Sequence, residues 1–162
     1  MTDSPERAID PVEELRTSIR QFVQYVEAIP HDLWLTKIVN WTPRDVVAHL
    51  IGWNVCMLEG CELMRAGKAP TYLNDREHDY RHVNAASVDR YAARDRATLL
   101  SELEASFRGL EQYLTGLEAA AWGADTGIRL GGRPVTIRGS IRALARDYDH
   151  HRQRLAEWRS GL

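Results

Sequence analysis

Residues 136–158 read TIRGSIRALARDYDHHRQRLAEW and carry the helical pattern around which the rest of the chain is arranged. Apolar or aromatic residues recur there at spacings of three and four, which predicts one inward-facing stripe on a helix. The stripe consists of Ile137, Ile141, Leu144, Tyr148, Leu155 and Trp158, with His151 completing the spacing. Asp147 precedes His151 by four residues, so both side chains are expected on the same face, about one turn apart. The pattern therefore predicts a carboxylate and an imidazole that point into the interior together.

A buried carboxylate and imidazole need a partner, because polar groups without pairing or coordination destabilise an apolar interior. The best candidate is His49, which lies between the inward-facing Val46 and Trp53 positions of a second helical pattern. Two imidazoles and one carboxylate suit zinc, iron, nickel or manganese, and leave a position open for water or substrate. The spacing leaves an alternative open, in which His49 is a satisfied core histidine and Asp147 and His151 pair across one turn.

Three more segments combine a helix start signal with an amphipathic stripe. The predicted helices run from Pro11 to before Pro30, from Pro43 to about Ala66, and from the Asp95 cap through about Leu117. With the last helix they predict an all-α four-helix bundle with one long crossover connection, an architecture that builds sites from side chains on facing helices. We expect a single domain over residues 1–162.

The connections have their own signals. Residues 31–41 lack a sustained period and are predicted to cross the end of the bundle, with Trp41 as a lid. Residues 67–81 are polar and predict a long surface loop of the kind that often covers a site, followed by a short helix over residues 82–93. Gly-rich residues 122–135 predict a small hairpin. Residues 1–9 are polar and are expected to be frayed.

Composition limits the functional class. The 162 residues are 44% hydrophobic and carry a net charge of -2, with acidic and basic residues interspersed, so we expect no nucleic-acid partner. The N-terminus lacks the pattern of a signal peptide, and no apolar run approaches the roughly 18 residues of a membrane span. These features predict a soluble cytoplasmic protein with no membrane partner. Cys56 and Cys61 are expected to be reduced residues on the core side.

The remaining histidines are predicted to lie at the surface. His150 points roughly 100° away from His151 on the helix, so we expect it to be solvated. His31, His78 and His82 fall in connections or at a helix start.

We expect the substrate pocket beside Trp53 and Tyr148, with Asp147 and His151 as its polar, catalytic end.

Two short motifs resemble the DinB-like superfamily of metal-binding four-helix bundles. They are WTPRDVVAHL at residues 41–50, continued by Gly52-Trp53, and residues 147–158. The AHLIGW run, the long crossover, HVNA at residues 82–85 and residues 99–117 are most similar to the ClbS/DfsB branch. The resemblance covers nearly the whole chain, although only the two short motifs are specific.

The resemblance implies a set of metal ligands. In the superfamily, a histidine on the second helix and a His-x-x-x-His pair on the fourth bind a divalent metal. His49 matches the first position and His151 the last, but Asp147 occupies the middle one. The resemblance therefore implies either a divalent transition metal held by His49, Asp147 and His151, or a site that has lost its metal.

Members of the superfamily include thiol-dependent isomerases and transferases, and the ClbS branch includes a protein that opens an electrophilic cyclopropane of a genotoxin. The resemblance implies an enzyme acting on a small electrophilic or thiol-conjugated molecule, of hydrolase or thiol transferase type. A metal would polarise the substrate or lower the pKa of bound water or thiol. Without a metal, Asp147 or His151 would act as general base on water. The alternatives are a metal-free ClbS-like hydrolase and a non-catalytic small-molecule-binding or stress-protective bundle. Such bundles commonly pair, so a homodimer is expected.

Overall fold

The computed structural model describes residues 9–91 and 93–162, and the expectation for the N-terminal residues falls almost entirely outside them. In chain order the elements are α1 (Pro11–Glu27), α2 (Pro43–Arg65), α3 (Arg81–Tyr91), α4 (Arg96–Thr115), α5 (Ala119–Trp122), β1 (Arg129–Leu130), β2 (Arg133–Pro134) and α6 (Ile137–Ser160). Short 3₁₀ helices at His31–Leu33 and Thr71–His78 lie in the connections. The predicted all-α architecture with four long helices is confirmed.

The start of α2 is set by a capping box, as its sequence predicts. The Asp45 backbone N–H donates to Thr42 Oγ1 over 3.2 Å, while the Thr42 N–H donates to Asp45 Oδ2 over 3.0 Å. Pro43 occupies the first helical position, where its missing N–H leaves no helix bond unmade. Because these contacts fix where the helix begins, they also fix the face on which His49 emerges one turn later.

The four long helices pack around one apolar core. α1 packs mainly against α6, α2 packs mainly against α4, and α2 also contacts α3 and α6. Leu15 and Phe22 of α1, Leu50 of α2, Leu103 of α4 and Ile141 of α6 are all 0% exposed. The site described below lies where α2 and α6 face each other.

α2 is more apolar than expected, because the sequence predicted no apolar run near the length of a membrane span. Pro43–Arg65 is long and apolar enough, by length and composition alone, to cross a membrane, with a mean hydropathy of 1.2 over its best 18-residue window. However, 61% of that window is buried in the bundle. A central helix of a helical bundle is apolar on several faces because neighbouring helices surround it, so α2 has the character of a core helix.

The predicted hairpin is present and borders the site. β1 and β2 pair antiparallel, with Leu130 opposite Arg133. The two-residue connection consists of Gly131 and Gly132, whose φ angles are 56° and 77°. A tight hairpin turn of this kind requires positive φ at both central residues, which glycine adopts without strain.

Residues 67–81 are more ordered than the expected polar loop. Their 3₁₀ helix packs on α2, and the buried carboxylate of Asp75 accepts a 2.9 Å hydrogen bond from the Val83 backbone N–H and contacts His82 Nδ1 at 2.6 Å. Asp79 and Tyr80 both have positive φ, 54° and 55°. This connection is anchored to the start of α3, and it covers the site as predicted.

Candidate metal and substrate site

Three side chains from α2 and α6 converge. His49 Nε2 lies 3.2 Å from His151 Nε2 and 3.4 Å from Asp147 Oδ2, and His151 Nε2 lies 3.4 Å from Asp147 Oδ1. The helical spacing explains the arrangement, since Asp147 and His151 emerge one turn apart on α6 and His49 faces them from α2. The structure thus brings together the three residues that the sequence singles out.

Solvent exposure of the three side chains increases from His49 to His151 to Asp147. The exposed fraction of the side chain is 6% for His49, 17% for His151 and 36% for Asp147. The indole of Trp41 lies against both imidazoles, with ring centroids 4.9 Å from His49 and 6.5 Å from His151. Trp41 therefore covers the cluster on one side, as expected of a lid, and the open side is where Asp147 meets the pocket.

The charges in the cluster are set by their mutual contacts. Burial opposes ionisation of Asp147, but its interactions with His151 and His49 outweigh burial and hold the pKa of Asp147 well below its usual range. Burial lowers the pKa of His49, and the Asp147 carboxylate offsets only part of this effect. The side chains therefore present an anionic carboxylate and a neutral His49 at neutral pH, the protonation states that bind a metal.

The donor set fits a divalent transition metal. One ligand atom from each of the three residues lies within 4.8 Å of the other two. The imidazole nitrogens are 3.2 Å apart, near the donor-to-donor edge of about 3.3–3.4 Å in a tetrahedral shell, and each imidazole lies 3.4 Å from a different oxygen of Asp147. Two imidazoles and a carboxylate suit zinc, iron, nickel or manganese. His49 Nε2 is the nitrogen that faces His151 and Asp147, and Nδ1 is buried without a hydrogen-bond partner.

The cluster lies in the wall of a pocket of about 750 Å³. Trp53, Tyr72 and Tyr80 form one aromatic wall, with edge-to-face ring centroids 5.3 to 6.3 Å apart. Asn84 also lines the pocket, and its Oδ1 accepts a 2.8 Å hydrogen bond from Trp53 Nε1. Arg133 of the hairpin contributes to the lining as well. The pocket offers an apolar, aromatic surface with a few polar groups, which is typical of a small-molecule site.

The family model of the mycothiol maleylpyruvate isomerase N-terminal domain matches residues 15–156. The chain belongs to this family. Membership confirms the resemblance to the DinB-like superfamily. No curated protein sequence matches the chain.

Solved structures share the fold of this family member at low identity. A Streptococcus pneumoniae protein is 16% identical, with a TM-score of 0.77 over 99% of this chain and 94% of that chain. The mycothiol-dependent maleylpyruvate isomerase is 13% identical, with a TM-score of 0.70 over 88% of this chain and 57% of that chain. The colibactin self-resistance protein ClbS, in complex with double-stranded DNA, is 15% identical, with a TM-score of 0.72 over 96% of this chain and 99% of that chain. Identity at this level shows a common fold alone.

Of the two residues predicted to form the substrate pocket, the structure places only Trp53 in the lining. Tyr148 is 0% exposed and lies outside the lining, with its hydroxyl donating to Asn54 Oδ1 over 2.8 Å. Both residues belong to inward-facing stripes, but Tyr148 points into the bundle core. A stripe predicts burial and does not distinguish the wall of a pocket from the core behind it.

The other histidines lie outside the cluster. His150 is exposed, as predicted, although it also lines part of the pocket. The side chain of His82 is 75% exposed and pairs with Asp75. Sequence reasoning missed the aromatic wall residues Tyr72 and Tyr80. The available signal was a pair of tyrosines in an otherwise polar connection.

Neither cysteine is suited to act as a nucleophile. Both are free thiols, with Cys61 buried and Cys56 half-buried. Burial, with a smaller contribution from Glu62, raises the pKa of Cys61 to about 12, and burial also raises the pKa of Cys56. Because the thiolate is the reactive form, a thiol reaction in this pocket needs a thiol from outside the chain.

Proposed function

We propose that this protein is a metal-dependent enzyme acting on a small electrophilic or thiol-conjugated molecule, of hydrolase or thiol transferase type. The observation that carries the proposal is the convergence of His49, Asp147 and His151 on the wall of a pocket of small-molecule size. The family relationship supports a thiol-related reaction, because the family takes its description from a mycothiol-dependent isomerase. The unreactive character of Cys56 and Cys61 supports an external thiol.

Each residue has a role in this proposal. His49, Asp147 and His151 hold a divalent transition metal, and Trp41 shields the two imidazoles from solvent on one side. When bound, such a metal polarises a substrate or lowers the pKa of a coordinated thiol or water. The aromatic wall of Trp53, Tyr72 and Tyr80 holds the apolar part of the substrate, since flat aromatic faces bury much surface with few rotatable bonds.

The test combines metal content with a thiol reaction. The purified protein, loaded with zinc, nickel, iron or manganese, is incubated with an α,β-unsaturated carbonyl compound, with and without a low-molecular-weight thiol. We expect loss of the conjugated absorbance to accelerate with metal-loaded wild type and to fall to background with Asp147→Ala. Stoichiometric metal without any thiol-dependent or hydrolytic turnover across a panel of electrophiles would contradict the enzymatic role.

The aromatic wall favours a second function, in which the pocket binds a small molecule without turnover and protects the cell by sequestration. Trp53, Tyr72 and Tyr80 give such a pocket binding surface whether or not a metal is present. Quenching of tryptophan fluorescence by a compound that is recovered unchanged would favour this function. Turnover by metal-free protein would instead favour a ClbS-like hydrolase, with Asp147 or His151 as general base.

The proposal extends to the oligomeric state, the compartment and the nucleic-acid partner. We propose a homodimer in the cytoplasm, on the resemblance to DinB-like bundles, which commonly pair. The near-neutral charge favours no nucleic-acid partner, but ClbS was crystallised with double-stranded DNA, so the fold is compatible with duplex binding. Titration of a labelled duplex at low and physiological salt would test that expectation directly.

A further inference from the structure

A chain of hydrogen bonds, buried at Tyr148 and Asn54 and half-buried at Ser106, links three helices beside the cluster of His49, Asp147 and His151. The Tyr148 hydroxyl of α6 donates to Asn54 Oδ1 of α2 over 2.8 Å, and Asn54 Nδ2 donates to Ser106 Oγ of α4 over 3.0 Å. Ser106 Oγ in turn donates to the Leu103 carbonyl oxygen over 2.9 Å. Tyr148 and Asn54 are both 0% exposed. Every donor points in the same direction, so each bond strengthens the next.

The chain is attached to the elements that carry the ligands. Tyr148 follows Asp147 directly and precedes His151 by three residues on α6, while Asn54 follows His49 by five residues on α2. The Tyr148 ring is held edge-on by Phe22 of α1, with centroids 5.5 Å apart and an interplanar angle of 78°. The hydroxyl of Tyr148 is thus directed at Asn54 by packing as well as by hydrogen bonding.

Apolar packing alone specifies helix register weakly, because one methyl contact is readily exchanged for another. A buried hydrogen bond is different, because sliding or rotating one helix leaves a polar atom unpaired in the core. Single buried polar residues set register between helices in this way in coiled coils. A site built from two helices needs such a device, because its ligands must be held within about 0.5 Å of their working positions.

We propose that Tyr148 and Asn54 are positioning residues that set the register of α6 against α2, so that His49 meets Asp147 and His151. The Tyr148–Asn54–Ser106 chain does this from behind the site, without contact with metal or substrate. Zinc affinity, the first measurement for this proposal, rests on the proposed function. The second measurement, the imidazole resonances of His49 and His151 in metal-free protein, does not.

Two variants separate positioning from stability. Tyr148→Phe keeps the ring but leaves Asn54 Oδ1 unpaired, so it lowers both stability and alignment. The double variant Tyr148→Phe/Asn54→Leu removes both partners, which restores an apolar contact and most of the stability, while Ser106 keeps its bond to the Leu103 carbonyl. The double variant also keeps the test available if Tyr148→Phe alone does not fold. Leu114→Ala, a cavity variant on α4 at a residue outside the pocket lining, is the matched control for lost stability.

The measurements are zinc affinity, by competition with a chromophoric chelator, and the imidazole ¹H–¹⁵N resonances of His49 and His151 in metal-free protein. We expect both network variants to bind zinc at least tenfold more weakly and to shift both resonances, although the double variant melts near the wild type. Leu114→Ala should melt lower and keep zinc affinity within threefold. Phe retains the ring, so its ring-current effect on neighbouring resonances is unchanged.

In the double variant, zinc affinity within threefold of wild type, or unshifted imidazole resonances, overturns the proposal. A comparable loss of zinc affinity in Leu114→Ala also overturns it, because stability alone would then account for the effect. If the wild type binds no zinc, manganese, iron or nickel, the proposed metal function fails, and the imidazole resonances alone decide the positioning role.

Discussion

Removal of the Asp147 carboxylate gives the sharpest test of the proposed metal site. A metal that binds only the folded protein adds RT ln(1 + [L]/Kd) to stability, or about 2.7 kcal/mol at a hundredfold excess over Kd. A domain of this size gains about 2–4 °C in Tm per kcal/mol, so a chelator should lower the wild-type Tm by about 5–11 °C. The metal-free contribution of Asp147 is smaller, about 1 kcal/mol, because its side chain is 36% exposed and solvent screens the contacts with both imidazoles.

The assay is thermal melting with and without chelator, on protein never exposed to chelator during purification, together with elemental analysis. We expect Asp147→Ala to contain little metal and to melt at the same temperature in both conditions. The matched control is His150→Ala, which alters an exposed histidine on the same turn of α6 outside the cluster. That control should keep its metal and the full chelator effect.

Two results would refute this reasoning. Equal wild-type melting curves with and without chelator would mean that the three side chains form a structural hydrogen-bonded cluster. In that case Asp147→Ala lowers the Tm through lost contacts with His49 and His151, independently of metal. Loss of metal in His150→Ala, to the same extent as in Asp147→Ala, would mean that the ligands are not those that the geometry brings together.

Further predictions test the packing, the thiols, the buried imidazole and the assembly. A Cβ on Gly52 would lie 1.9 Å from Ser87 Oγ and 2.4 Å from Ser87 Cβ, so Gly52→Ala should lower the free energy of unfolding by about 1–3 kcal/mol in denaturant titrations. Ser87→Gly removes both of these atoms and should recover part of the loss, whereas Ser87→Ala keeps the Cβ and should not. Because burial raises the pKa of Cys61 and of Cys56, both thiols should react with a chromogenic disulfide at pH 8 far more slowly in native than in unfolded protein. Fast native labelling would contradict the burial of Cys61 and the partial burial of Cys56. Burial lowers the pKa of His49 in the folded protein below its unfolded value of about 6.5, so the unfolded chain takes up the proton first and metal-free protein should lose stability as the pH falls below about 6.5. A Tm that does not change between pH 7.5 and 5 would argue against a desolvated His49. Sedimentation at tens of micromolar should show a dimer, and monomer alone would count against self-association.

Sequence features that act over a few neighbouring residues predicted the helix starts, the hairpin turn and the inward helix faces. The capping box of Thr42 and Asp45 determines where α2 starts through bonds within four residues, and it is visible in the sequence. The paired glycines of the hairpin are equally local, because positive φ is a property of single residues. Helical periodicity then indicated that His49 faces inward, since each residue on a helix turns about 100° from the last.

Other features depended on the neighbours that the fold supplies. Tyr148 and Trp53 occupy similar stripe positions, yet one is buried in the core and the other lines the pocket. The difference arises because Asn54 and Phe22 come from other helices and enclose the tyrosine. No periodicity within α6 carries that information.

The sequence alone determined the helices, their inward faces and the three residues that share a site, because caps and periodicity act within a few residues of each other along one chain. Only the tertiary structure decided that Tyr72 and Tyr80 complete an aromatic wall with Trp53, and that Tyr148 lies behind the site. Those outcomes depend on how far each helix is shifted and rotated against the next. That register is a property of contacts between segments far apart in the chain, so it is not readable from any one of them.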